Sequence, residues 1–256
     1  MVHRRSTTTT AIIIVITTTH TTNITITQVS TWCFDKPLVN SSEYAGIDTY
    51  IKEEVAENGH SNFTYAMVDD HGDFPRWPLD HGGGKVGGLP LVNFPEISMW
   101  GRSPWGGWGA NPLPSRFQDL WLQTNGSVIG GMPYSEGIYE DMNAVIAWKH
   151  YWSNTTSLNT LREYVMFEFT SHVADVADVM TAITLLESTW TVDRRNINMT
   201  STAYKLLLGV DSRLTHQARS AWRWRLLFLR AQIDATLASN GGEMSGPVLC
   251  KAFAEL

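Results

Sequence analysis

The chain has 256 residues, 43% of them hydrophobic, enough for a sizeable core in one or two domains. A formal net charge of -6 supplies no basic field, so nucleic acid is excluded as an expected partner. No apolar run approaches the ~20 residues of a membrane span, and two cysteines, Cys33 and Cys250, are too few for a disulfide framework.

Residues 1–28 read as a low-complexity, Thr-rich tail or leader. Basic residues precede Ala11–Ile16 as in a signal peptide, but AIIIVI is shorter than the usual apolar segment and no small-residue cleavage site follows. Sequons stand at Asn23, Asn40, Asn62, Asn125, Asn154 and Asn198. They are compatible with a glycoprotein on a secretory route, so a secreted or endomembrane location is favoured.

From Val29 onwards strand-like and helix-like segments alternate. VSTWCF at 29–34, FTYAMV at 63–68, LPLVNFPEISM at 89–99 and VIGGMPY at 128–134 predict strands. Pro95 inside the third marks a bulge or an edge. Helices are predicted over 44–57, 114–123 and 140–152. The first has Tyr44, Ile47, Tyr50, Ile51 and Val55 at helical spacing and ends at Asn58-Gly59. Alternation of this kind predicts βα units and a parallel sheet over 29–152. Beyond it the pattern is helical throughout, over 157–170, 172–190, 200–209 and 211–239, with a last helix starting near Gly246-Pro247. An all-α domain is therefore expected over 153–256.

Candidate chemistry concentrates in 69–134. DDHGDFPRWPLDHGGGKVGG follows the second predicted strand, and Glu96 closes the third. In parallel α/β folds such positions carry the catalytic groups, because they lie at the carboxyl ends of the strands. Asp70 or Asp73 with Glu96 could act as the carboxylate pair across a glycosidic bond, one group donating a proton and the other activating water or attacking carbon. His71 and Arg76 lie in the same loop. Trp100, Trp105 and Trp108, in a glycine-rich stretch, offer flat rings for stacking on a sugar, although for any single Trp the favoured reading is that it fills core. Tyr134 and Glu136 follow the fourth strand on the same face.

Other readings of this segment are structural. Asp69 and Asp80 suit turns or caps. The spacing of His71 and His81 matches no metal-ligand register, so no metal is expected. Gly82–Gly88 lacks the Lys-Ser/Thr and the strand–loop–helix context of a phosphate-binding loop, and no cofactor is implied. No G-x-S-x-G occurs. Trp222 and Trp224, with Arg219, Arg223 and Arg225, suggest a packed helix with cation–π support.

Taken together, DDHGDFPRWPL, NFPEISMW and GGMPYSEGIYEDMNAVIAWKHYW resemble the end of the barrel in α-glucuronidases and related large glycoside hydrolases, including uncharacterised bacterial relatives. The resemblance implies an inverting hydrolase in which an Asp after the sixth strand and a Glu after the seventh activate water. Here these would be Asp73 or Asp70, and Glu96, with the general acid on an earlier strand. It implies a fold class as well: an α/β chain formed of the C-terminal half of a (β/α)₈ TIM-type barrel over 29–152, followed by the helical domain. A whole barrel takes about 200–250 residues, so the acid-bearing strand has no place here. The expected partners are accordingly an oligo- or polysaccharide substrate and either a missing N-terminal half-barrel or a second copy of the chain. The alternatives are a non-catalytic carbohydrate-binding protein and a degenerate fragment.

Overall fold

The protein is described by a computed structural model that covers residues 16–19, 25–30, 41–70, 73–97, 111–124, 126–134, 140–189, 196–243 and 245–255. Contacts divide the chain into two compact units. One comprises Met1–Glu96 with Gln123–Met132, and the other Ile97–Leu122 with Pro133–Leu256.

The first unit holds the sheet. Its elements are β1 (Ile16–Thr19), β2 (Thr25–Ser30), α1 (Ser41–Asn58), β3 (Tyr65–Asp70), α2 (Arg76–Asp80), β4 (Lys85–Val86), β5 (Leu89–Pro95) and β6 (Val128–Gly131). Strands β2, β3, β5 and β6 run parallel in that spatial order. β1 pairs antiparallel with β2, and β4 antiparallel with β5. A register irregularity falls between Leu91 and Val92 where β5 meets β6.

The half barrel expected over 29–152 is thus not the fold. The sheet is mixed and open. Among the described residues β1 pairs only with β2, β6 only with β5, and helix dominates the chain. The physical reason is that alternating strand and helix periods are shared by open and closed parallel sheets. Closure depends on stagger and strand tilt, which period-2 patterning does not encode.

α1 buries Tyr44 and Ile51 completely, while Tyr50 and Val55, predicted on the same apolar stripe, are exposed. The buried face is instead centred on Tyr44, Asp48 and Ile51. Asp48 accepts from the backbone N–H of Gly87 at 2.7 Å and from Lys52 Nζ at 2.6 Å. Trp77 stacks between Tyr44 and His81, with centroids 5.9 and 5.6 Å away. His81 is therefore part of a ring stack, and Asp80 pairs with Arg76 at 2.7 Å one turn away. Ala66 and Val68 of β3, Val86 of β4, Leu91 of β5 and Phe74 are all essentially buried.

The second unit is helical: α3 (Pro114–Thr124), which ends in the first unit, then α4 (Asp141–Trp152), α5 (Ser157–Glu168), α6 (Val173–Ser188), α7 (Ile197–Arg213), α8 (His216–Ser220), α9 (Trp222–Ser239) and α10 (Pro247–Glu255). Several starts are capped as the sequence invites. Thr156 accepts from Asn159 N, Asn196 from Asn198 N and Met199 N, and Thr215 from Ala218 N. Glu187 caps α3, its two oxygens accepting from Ser115 N and Arg116 N at 3.1 and 3.0 Å. The long helix predicted over 211–239 is broken at Leu214 and Ala221, whose ψ values of 149° and 134° are extended. α9 contributes more buried residues than any other described helix, and its Leu229, Ile233 and Leu237 meet Leu249 and Ala252 of α10. Trp224 is fully buried and donates through Nε1 to Asp211 at 2.8 Å. Arg223 does form the anticipated cation–π contact, 4.4 Å from the Trp222 ring centroid.

Candidate functional site

The carboxylates singled out from the sequence fall at one edge of the parallel strands. In the β3–β5 pairing Asp70 is opposite Pro95, so Asp70 and Glu96 occupy successive positions at the carboxyl ends of neighbouring parallel strands. This is where α/β sheets bind ligands, because the loops leaving those ends are free to differ. Glu96 is 3% exposed and Asp73 is exposed. Arg76 points to solvent and is engaged by Asp80. Tyr134 belongs to the helical unit, where its carbonyl accepts from Ile97 N at 2.8 Å. His71, Trp100, Trp105, Trp108 and Glu136 lie outside the described residues.

The helical unit contains a second polar constellation, which periodicity alone does not reveal. Arg230 has no exposed surface and donates through Nε to Asp234 at 2.7 Å and through Nη1 to Asn111 Oδ1 at 2.6 Å. Asn143 is 1% exposed. Its Oδ1 accepts from Leu113 N at 3.0 Å, while its Nδ2 donates to the carbonyls of Ile97 and Asn111 at 3.1 and 2.6 Å. These donors fix the amide orientations: a guanidinium and a peptide N–H can only donate, so each must face an amide oxygen. Asn111 Nδ2 is thereby turned away from Arg230. It is buried and has no hydrogen-bond partner.

Asn111 and Asn143 line a cleft with Glu140, Asp141, Tyr164 and Arg223, walled by Pro112, Met142, Phe169, Leu226 and Leu227. At its polar side Arg223 pairs with Asp141 and lies 3.6 Å from Glu168. The Tyr164 hydroxyl donates to Asp141 at 3.1 Å. Burial, followed by the Asp141 charge, pushes the Tyr164 phenol well above its usual range, so it stays a donor. The hydrogen bond to Asp141 likewise raises Arg223. Glu140 is 4% exposed. Among the described residues, no group of three or more His, Cys, Asp or Glu side chains could hold a metal ion. No helix among them is long and apolar enough to cross a membrane.

The signal that could have found this second site was weak but present. Arg230 and Asp234 are charges one turn apart in the otherwise apolar run LLFLRAQIDATLA, where a solvated helix face would show more polar neighbours. Compared with family models, curated proteins and solved structures, the chain matches none.

Proposed function

We propose that this protein acts on oligo- or polysaccharides as a glycoside hydrolase-like module, with Glu96 and one of Asp70 and Asp73 as the working carboxylates. The observation that supports this reading is that β3 and β5 end side by side, so that Asp73, on the loop leaving β3, and Glu96, directly after β5, stand at the same carboxyl edge, whereas Asp70, opposite Pro95, is a position that alternates with Glu96 across the sheet. Two carboxylates facing one cleft can divide the labour of glycoside hydrolysis, one acting on water and one on the leaving oxygen. Asp73, on the loop leaving β3, is exposed and competes with Asp70 for the second role.

A second reading is non-catalytic carbohydrate binding. It is favoured by the burial of Glu96, which at 3% exposure leaves little carboxylate surface for a substrate.

Turnover and binding of aryl glycosides and of oligosaccharides, measured on the full chain and on Glu96→Gln, separate the two. Hydrolysis that falls by about 10²–10⁴-fold in Glu96→Gln supports the catalytic reading. Binding without turnover in both forms supports the non-catalytic one. Turnover undiminished in Glu96→Gln removes Glu96 from the mechanism, and absence of both binding and turnover overturns the carbohydrate assignment.

A further inference from the structure

We infer that the cleft of the helical unit is a binding site for a single hydroxyl group of a small polyol or monosaccharide, held by Asn111 Nδ2 and the Glu140 carboxylate. Nothing in the carboxylate edge of the sheet is required for it, and it rests on the carbohydrate reading only in preferring a sugar among alcohols.

Three observations carry the inference. The first is the buried amide donor. Asn111 is 2% exposed, and its Nδ2 has no hydrogen-bond partner. A buried donor left unsatisfied is costly, so the position favours whatever can accept from it. Rotating the amide does not relieve this, because Arg230 Nη1 donates to Oδ1 at 2.6 Å and would then face an N–H₂ group.

The second is size. The space that water-sized atoms can occupy in the cleft is about 20 Å³, room for about one oxygen with its hydrogens beside Asn111.

The third is chemistry. Asn111 needs an acceptor, whereas Glu140, on the same lining, is a carboxylate and only accepts. A hydroxyl both accepts and donates through a single atom. Its carbon skeleton would lie along Phe169, Leu226 and Leu227, which suit the C–H faces of a sugar or polyol.

The test is an NMR titration of the ¹⁵N-labelled full chain with D-glucose, D-xylose, N-acetylglucosamine and glycerol, observing the Asn111 side-chain amide. That signal is identified by its absence in Asn111→Asp, a variant that keeps an oxygen for Arg230 and replaces the N–H donor by a second, charged oxygen. Glu140→Gln is the second variant, and thermal unfolding of each verifies that it is folded. A saturable shift of the Asn111 side-chain amide is expected with at least one probe, and binding followed by the backbone amides of Asn143 and Leu227 is expected to weaken about tenfold in Asn111→Asp, as loss of one hydrogen bond implies. If Asn111→Asp does not fold, the same weakening in Glu140→Gln is decisive. No shift at up to ~100 mM of every probe, far above a millimolar Kd, means that a resident water alone fills the cavity and overturns the inference. Equal binding by the variants overturns it as well. Aryl-glycoside turnover measured on the same variants keeps the two sites distinct, since it reports on Glu96 and not on Asn111.

Discussion

Arg230 and Asp234, one turn apart on α9, form an ion pair at 2.7 Å with side-chain exposures of 0% and 1%. Two charges taken wholly out of water lose their hydration, and only their mutual attraction and further hydrogen bonds offset that loss. The bond from Arg230 Nη1 to Asn111 is one such addition, and it joins α9 to a residue 119 positions earlier. Asp234→Asn would leave the guanidinium buried beside a neutral amide. It is expected to destabilise the protein by about 3 kcal/mol or more, read as a lowered urea midpoint. A loss below about 1 kcal/mol, the scale of an exposed pair, would mean that Arg230 is not held as described.

Asn143 is the second support of that network. Asn143→Ala removes its bonds to Leu113 N and to the carbonyls of Ile97 and Asn111, leaving buried backbone groups unsatisfied. A cost of about 3 kcal/mol or more is expected. Asn143→Asp, though nearly isosteric, turns an oxygen towards two carbonyls and should cost at least as much. Denaturant unfolding orders the two variants, and an Asp variant as stable as the parent would contradict the assigned amide orientation.

Gly87 separates backbone conformation from packing. Its φ is +59°, and an added Cβ would stand 2.4 Å from Ile51 Cβ, whereas Gly83, at φ +58°, has nothing within 4 Å. Gly83→Ala therefore carries only the left-handed penalty of about 1–2 kcal/mol. Gly87→Ala adds overpacking against α1, worth about 1–3 kcal/mol more. Equal destabilisation of the two would show that α1 yields freely at Ile51.

His150 sets an acid-side dependence. It is buried, stacks on Trp121 at 5.3 Å and shares a 2.9 Å hydrogen bond with Ser157 Oγ. Burial disfavours the imidazolium and lowers its pKa from the ordinary 6.5. With a depressed folded pKa, the unfolded chain binds the extra proton first. The contribution is therefore fully present above pH 6.5 and declines as pH falls from there towards the folded value. His150→Gln should flatten the stability profile in that window relative to the parent, by unfolding free energies measured between about pH 5 and 7.5. Parallel profiles would show that His150 titrates as freely in the fold as outside it.

Much of the secondary structure was legible in the residues themselves, because it depends on neighbours. The apolar spacing around Tyr44 and Ile51 yields α1, the β-rich runs near 65–70 and 89–95 yield β3 and β5, and the helical runs beyond 157 yield α5 and α6. The carboxyl-edge placement of Asp70 beside Glu96 also followed from alternation of strands and helices. Local pattern could not decide how the sheet ends. The antiparallel additions of β1 and β4 make it mixed and open, and the half barrel implied by the motif resemblance is not formed. Nor could it show that Tyr50 would face solvent while Asp48 turned inward to hold Gly87. Least legible was the burial of Arg230, Asp234, Asn111 and Asn143. Period and propensity are properties of adjacent residues, whereas the bonds that permit a charge to be buried come from partners far along the chain, which only tertiary folding brings within reach.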